Sequence, residues 1–343
     1  MTNGMRSGKN WRPQMAETTL QGRTRGMGEI VDVAGKETVL APFGTTLAEL
    51  AHERPEIVGL TADMGRYSDI LPFRDEHPTR FFNVGMAEQN LIMTAAGMAK
   101  AGKIAYCTTY SVFITRRAYD FVAIACAHSM ANVKIFAGMP GLVNGYGATH
   151  QATEDLNMMR GIADLTIIDP CDATEFRQVV RAVADIPGTV YVRNMRGKVP
   201  VELPESYRFL PGRAQVIHAA PGAKIGIIAT GYMSARGMEA ARAAAGEGVG
   251  ASVLHVGTIK PFDTAGVVDF ARRFDRLIVA ENHKTTGGLT SLVVEALYDA
   301  GVVKPLIKIG LADSFFECGS QEYLEGKYEV DLPRFMRAIL AGK

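Results

Sequence analysis

Short, continuously apolar segments rich in Val, Ile and aromatic residues recur along this chain, each followed by a stretch with helical spacing. "EIVGLTAD", "RFFNV", "KIAYCTT", "NVKIFAG", "LTIIDP" and "TVYVRN" form a first series, with helical stretches such as "LAPFGTTLAELAHERP", "TRRAYDFVAIACAHS" and "ATEFRQVVRAVADI" between them. The segments are apolar throughout rather than at every second position. Strands of that kind are buried on both faces, which requires a parallel sheet covered by helices on each side. After the Pro-rich, polar "VPVELPESYRFLPGR" the pattern restarts with "KIGIIATG", a helix through "ARGMEAARAAAGEG", "ASVLHVGTI" read as one strand, "RLIVAEN", a helix through "SLVVEALYDAG" and "LIKIGLAD". The expected architecture is therefore α/β: two doubly wound sheets, over residues 37–203 and 215–343. A polar, Gly-rich extension over 1–36, read as flexible, precedes them.

A chain of 343 residues can bury two such cores. Its formal net charge of +1 gives no field that would favour nucleic acid or an acidic membrane surface. No apolar run approaches the roughly 20 residues needed to span a bilayer. The extension carries basic residues but no apolar core, so a secretory signal is not expected. Cys107, Cys126, Cys171 and Cys318 are scattered without a CxxC pair, which argues against a zinc or iron–sulfur site and for a reduced, cytoplasmic setting.

In parallel α/β sheets, ligands bind in the crevice beyond the carboxyl ends of the strands. Four such ends carry unusual residues here: Asp63 in "TAD", Glu88 in "NVGMAEQN", Tyr110 and Phe113 in "TTYSVF", and His150 in the Gly-rich "AGMPGLVNGYGATHQATEDL". Each has an ordinary explanation when taken alone. An acid in a first helical turn favours the helix dipole, Tyr110 and Phe113 could be a core pair, and His150 a satisfied histidine. The Gly-rich loop lacks the GxGxxG spacing of a dinucleotide site.

Taken together, "FFNVGMAEQN", "TTYSVFITRRAYD", "GATHQATEDL", "LHVGTIKPFD" and "ENHKTTGGL" resemble transketolase. The resemblance covers about residues 37–325 and has the pyrimidine-binding and C-terminal domains in the order found in the small subunit of split bacterial transketolases. The diphosphate-binding domain, with its GDG signature, is missing; no GDG occurs in the sequence. The resemblance implies a thiamine diphosphate cofactor with Mg2+, the metal ligands lying on a large partner subunit and none on this chain, an α2β2 heterotetramer, and small sugar or sugar-phosphate substrates. It implies transfer of a two-carbon ketol unit from a ketose donor to an aldehyde acceptor.

For individual residues, the resemblance makes Glu88 the acid that hydrogen-bonds the aminopyrimidine ring, an assignment suited to a carboxyl among apolar neighbours. Tyr110 and Phe113 match the rings that pack on the pyrimidine, and Asp63 matches an acid near the cofactor at a subunit interface. His150 matches a substrate-facing, catalytic histidine, and Arg193 a phosphate-facing arginine, with Arg196 close by. The substrate pocket departs from the family pattern. Tyr146 stands where an acceptor-binding Asp is usual, Leu40 where a phosphate-binding Arg is usual, and a histidine is replaced near Met139. Arg66 and Tyr67 replace a small polar pair and offer a different anion contact. Two relatives share the cofactor and folds: the beta subunit of a 2-oxo acid dehydrogenase, and 1-deoxyxylulose-5-phosphate synthase. A non-catalytic assembly subunit is the reading from another class.

Overall fold

The computed structural model describes residues 35–341; the extension expected over 1–36 lies almost wholly outside them. In space, the first sheet runs in the order Thr258–Lys260, Thr166–Ile168, Val190–Asn194, Val133–Gly138, Ile104–Tyr110, Ile57–Thr61, Phe81–Asn83. All neighbours are parallel except Thr258–Lys260, which pairs antiparallel with Thr166–Ile168. One face packs against the helices Glu88–Lys100 and Ser111–Phe121, through Leu91, Ile92, Ile114 and Ala118. The other packs against Pro42–Glu53 and Ala173–Ala182, through Phe43, Leu47, Phe176 and Val180. The strand Ile104–Tyr110 is buried at every position, as its unbroken apolar pattern requires.

The second sheet has the order Leu306–Leu311, Arg276–Lys284, Ile225–Ala229, Ala251–His255, Gln215–His218. Only its edge strand Gln215–His218 is antiparallel, and the helices Tyr232–Gly246, Thr264–Arg272, Leu289–Asp299 and Leu332–Leu340 cover it. No described helix is long and apolar enough to cross a membrane.

The structure corrects one sequence reading. "ASVLHVGTI" is two strands, and the second, Thr258–Lys260, leaves its own domain to extend the first sheet. The break falls at Gly257, where a Cβ would lie 2.7 Å from Glu175 Oε1 and 2.9 Å from His255 Nε2. Those two side chains form a buried pair, Nε2 to Oε2 at 2.7 Å, between the domains. One hydrophobic core also runs across the boundary: Leu91, Ile114 and Ile135 belong to the same cluster as Ile228, Leu254, Phe270 and Leu289.

Candidate functional site

The carboxyl ends of the parallel strands in the first sheet bring most of the singled-out residues together. Asp63 follows Ile57–Thr61 in a left-handed conformation (φ 57°), which its short side chain tolerates. Asn83, at the end of the neighbouring strand, holds it there. The Asp63 backbone N–H donates to Asn83 Oδ1 at 2.9 Å, and Asn83 Nδ2 donates to Asp63 Oδ1 at 2.9 Å. The sequence motif assigns Asn83 no role; its position between a strand and a Gly turn is the one signal of it.

Glu88 is the first residue of the helix Glu88–Lys100 and is 4% exposed. Its surroundings are not purely apolar, contrary to expectation: Arg117 Nη1 donates to Glu88 Oε1 at 3.1 Å. Among the described residues no hydrogen bond reaches Oε2. Arg117 also lies over the Phe113 ring, its Cζ 4.1 Å from the centroid, so one guanidinium spans acid and ring. The sequence signal for this was the i,i+4 spacing of Phe113 and Arg117 on one helix face.

Tyr110 and Phe113 stack with centroids 5.7 Å apart, at the point where the strand Ile104–Tyr110 becomes the helix Ser111–Phe121. His150 meets Phe113 edge-on at 5.4 Å and Tyr110 at 6.3 Å. The Tyr146 ring is 5.5 Å from His150, and Tyr67 is 6.5 Å from Tyr110. Burial pushes the Tyr110 phenol up to about 12, so it stays protonated at neutral pH. His150 is half-buried, its Nδ1 2.8 Å from Thr149 Oγ1. Burial, and after it the charge on Arg117, lower its pKa and favour the neutral imidazole. Arg116, the neighbour of Arg117, straps the His150 loop down: its Nη1 donates to Ala148 O at 2.9 Å and its Nε to Glu154 Oε1 at 2.6 Å.

Arg193 does not join this cluster, and its expected place facing substrate is corrected. It is 2% exposed, and its guanidinium is committed to Asp155 (Nε to Oδ2, 2.9 Å; Nη2 to Oδ1, 2.6 Å), Asp169 Oδ2 (3.2 Å) and Asn282 O (3.1 Å). A buried arginine is held where carboxylates neutralise it, and here they lie between the two domains. The arginine on the ring side of that strand is Arg196, whose Cζ is 5.4 Å from the centroid of Tyr67. Arg66 is exposed in the turn after Asp63. Leu40 is exposed in a short strand that pairs with Lys198–Pro200, beside Arg196. Met139 is buried against Tyr110, Val112 and Ala152.

One group of side chains, His52, Glu76 and His77, is close enough to share an ion, but both His77 ring nitrogens are engaged, by Ala48 O and by Arg80 Nη2. It lies at the opposite end of the sheet from Glu88, beside the start of the strand Ile57–Thr61.

Comparison with known proteins follows these two sheets. The family "Transketolase, pyrimidine binding domain" matches residues 38–202, and "Transketolase, C-terminal domain" matches 212–334. An uncharacterized transketolase family protein of Sinorhizobium fredii is 45% identical over 315 residues, 90% of this chain and 91% of that one. A 6-deoxy-6-sulfo-D-fructose transketolase subunit of Clostridium sp. strain MSTE9 is 35% identical, over 85% of this chain and 90% of that one. A 1-deoxy-D-xylulose-5-phosphate synthase of Caldanaerobacter subterraneus is 32% identical over 89% of this chain, which spans 49% of that protein. Among solved structures, one described as a split gene transketolase, inactive beta4 tetramer, superposes with a TM-score of 0.79 and 36% identity, over 87% of this chain and 96% of that one. The chain belongs to the transketolase family, with its pyrimidine-binding and C-terminal domains arranged as in the small subunit of a split transketolase.

Proposed function

We propose that this chain acts with a large subunit in a thiamine-diphosphate-dependent transfer of a two-carbon ketol unit from a ketose to an aldehyde. The observation that carries the reading is the cluster at the strand ends: a buried Glu88 whose Oε2 meets no described donor, one guanidinium away from a stacked ring pair. Those residues fit an aminopyrimidine, with the rings taking its face and the carboxyl its ring nitrogen. The bound cofactor would supply the carbon nucleophile that cleaves and reforms the ketose carbon–carbon bond.

The chain's own residues would orient and move protons. Glu88 hydrogen-bonds the pyrimidine nitrogen and shares a proton there. Tyr110 and Phe113 hold the ring plane. His150, favoured as the neutral imidazole, can accept a proton from a donor hydroxyl or return one to the acceptor oxygen. Asp63, clasped by Asn83, would stand near the cofactor at the subunit interface, as the family resemblance implies. The Mg2+ and diphosphate contacts belong to the large subunit in this reading, because the GDG signature is absent from this sequence. An α2β2 assembly, the arrangement that the family resemblance implies, belongs to the same reading.

For the substrate, the reading is an aldehyde acceptor outside the ordinary pentose phosphates. Tyr146 brings a phenol where the family pattern has a carboxylate, Leu40 removes one cation, and cations stand elsewhere: Arg196 over the Tyr67 ring, and Arg66 exposed in the turn before it. A terminal sulfonate or phosphate would suit those two arginines. The Clostridium relative is named for a sulfonated ketose, and a ketose is the donor in ketol transfer, so its name supports an anionic end group on the donor.

Glu88→Gln tests the assignment. Glutamine keeps the volume but cannot share a proton, so turnover in the assembled complex should fall about 10²–10⁴-fold with the fold unchanged by circular dichroism. Retention of more than about a tenth of wild-type turnover would remove Glu88 from the mechanism. A second reading rests on the likeness to 1-deoxyxylulose-5-phosphate synthase. Pyruvate as sole donor discriminates, since carbon dioxide release would favour it.

A further inference from the structure

The motif "ENHKTTGGL" contributes no side chain to the ring cluster, yet it is buried and polar: Glu281, Asn282 and His283 are each 2% exposed or less. Its second residue, Asn282, reaches across the domain boundary to the start of the loop that carries Tyr146 and His150. Asn282 Nδ2 donates to Pro140 O at 3.1 Å, and Asn282 Oδ1 accepts from the Leu142 backbone N–H at 3.1 Å. The amide lies so close that a Cβ on Gly141 would be 2.3 Å from its Nδ2, and Gly141 itself takes φ +62°. This is a glycine required both by its backbone and by its neighbour.

Further along the loop, a second segment of the C-terminal domain takes over. Tyr146 and Cys318 form an antiparallel bridge, the Gly319 N–H donates to Gly145 O at 3.0 Å, and Gln151 Nε2 bonds both Asn144 O (3.1 Å) and Glu317 O (3.2 Å). A Cβ on Gly147 would meet Cys318 Sγ at 2.8 Å. Beyond His150, the Lys284 N–H donates to Thr153 O at 2.9 Å. The loop is thus fastened at its beginning, middle and end by the other domain, while Arg116 fastens it to its own.

We infer that the C-terminal domain is a template for the substrate loop, and that Asn282 is a positioning residue which sets the placement of Tyr146 and His150 without touching the reacting atoms. The loop has little regular structure: a single 3-10 turn, Gly141–Val143, precedes its Gly-rich part. Its buried backbone groups therefore depend on partners from outside, and Asn282 supplies one donor and one acceptor at the point where the loop leaves the strand. Loosening that point would leave Glu88 in place, because its partner Arg117 and its helix start belong to the first domain outside the loop. Tyr110 and Phe113 would keep their own stacking while losing only the edge of His150. The acceptor side of the reaction would lose its geometry, whereas the cofactor side would keep it. This inference rests on the functional reading above for its kinetic consequence, but not for its structural one.

Two measurements on Asn282→Ala and the isosteric Asn282→Asp test it. The first is amide hydrogen exchange on the full chain, which needs neither cofactor nor partner. Removing both hydrogen bonds should speed exchange at Gly141 and Leu142 and across the loop to Gln151, roughly tenfold or more in the alanine variant. Asn282→Asp keeps the acceptor for Leu142 and loses the donor to Pro140, so it should fall between. Amides of the Glu88 helix should be unchanged. The second is steady-state kinetics of the assembled complex, where KM for the aldehyde acceptor should rise several-fold and cofactor affinity should stay constant. The proposal is overturned if loop exchange is unaffected, or if exchange rises equally throughout both domains, which would make Asn282 a general stabiliser. It is also overturned if cofactor affinity falls as much as acceptor affinity. A wild-type complex without ketol transfer would overturn the functional reading instead, and the exchange measurement would still decide the positioning role.

Discussion

At the scale of single residues, Arg117 is the side chain that most changes the picture drawn from the motifs. It binds Glu88 Oε1, lies over Phe113, and places a positive charge near His150. The charged groups around His150 are Arg117 and the Arg116–Glu154 pair from across the loop, with Phe113, Tyr146, Tyr110 and Thr149 nearest its ring. Both burial and Arg117 disfavour the imidazolium, so Arg117→Gln removes one of the two. The His150 pKa should then rise toward its ordinary value, and Arg117→Lys should keep it low. A histidine-detected NMR titration of the full chain checks this; an unchanged or lower midpoint in Arg117→Gln would contradict it. Because a lowered His pKa keeps the ring neutral to lower pH, the glutamine variant should carry more imidazolium in mildly acidic buffer. Arg193 illustrates the opposite lesson. The family resemblance makes it phosphate-facing, yet it lies within the strand Val190–Asn194, where successive residues point to opposite faces, and its carboxylate partners lie far along the chain.

At the scale of elements, the strand-end loops divide the site into a rigid part and an adaptable part. Tyr110 and Phe113 sit where a fully buried strand becomes a helix, and Glu88 opens a helix packed on the sheet through Leu91 and Ile92, which holds them closely. Tyr146 and His150 sit on a Gly-rich loop whose course is set by hydrogen bonds from elsewhere. Specificity is therefore most easily altered on that loop. If Tyr146 excludes ordinary acceptors because a phenol replaces a carboxylate, Tyr146→Asp should raise kcat/KM for ribose 5-phosphate by about 10–100-fold, the worth of one well-placed hydrogen bond to a charged group. Kinetics on a panel of aldehydes would check it. Wild-type preference for ribose 5-phosphate, with no gain in the variant, would show that acceptor contacts come from other elements. Much of this division was legible beforehand: the buried strands and helix starts followed from apolar runs and spacing. The loop's path was not, since glycines permit many paths and the contacts that select one come from residues 282 and 317–319.

At the scale of the whole molecule, the two domains are joined by a shared apolar core and by buried charges. Glu175 and His255 meet at 2.7 Å with Ser234 Oγ 2.7 Å from His255 Nδ1 and the Tyr207 hydroxyl donating to Glu175 Oε1 at 2.8 Å. Burial alone would raise the Glu175 pKa, but His255 and the hydrogen bonds outweigh it and hold the carboxyl below its ordinary value. Burial likewise opposes the imidazolium, yet Glu175 raises His255 above its ordinary value. The signs set a window. The contribution of Glu175 is present above its unfolded value of 4.5 and is lost as pH falls through the lowered pKa. That of His255 is fully present below 6.5 and is lost as pH rises through the raised pKa. Stability from this pair should thus be greatest between about those two values and decline on the alkaline side. His255→Leu should cost about 3–5 kcal/mol near pH 6, because it strands a buried carboxylate, and should flatten the alkaline decline. Urea midpoints measured from pH 5 to 9 would check both; a parallel decline in the variant would assign it to other groups.

The two α/β sheets, the order of their strands along the chain, and the gathering of Asp63, Glu88, Tyr110, Phe113 and His150 at the strand ends are all legible in the amino-acid pattern. Continuous apolar runs specify parallel strands, and parallel strands bring every following loop to the same end of the sheet. Long-range packing alone makes Thr258–Lys260 cross into the first sheet, commits Arg193 to Asp155 and Asp169, and brings Arg117 to Glu88. Each of these depends on pairing between groups distant in sequence, where neither periodicity nor propensity carries information. Charge and hydrogen-bond partners are chosen by proximity after the chain has folded.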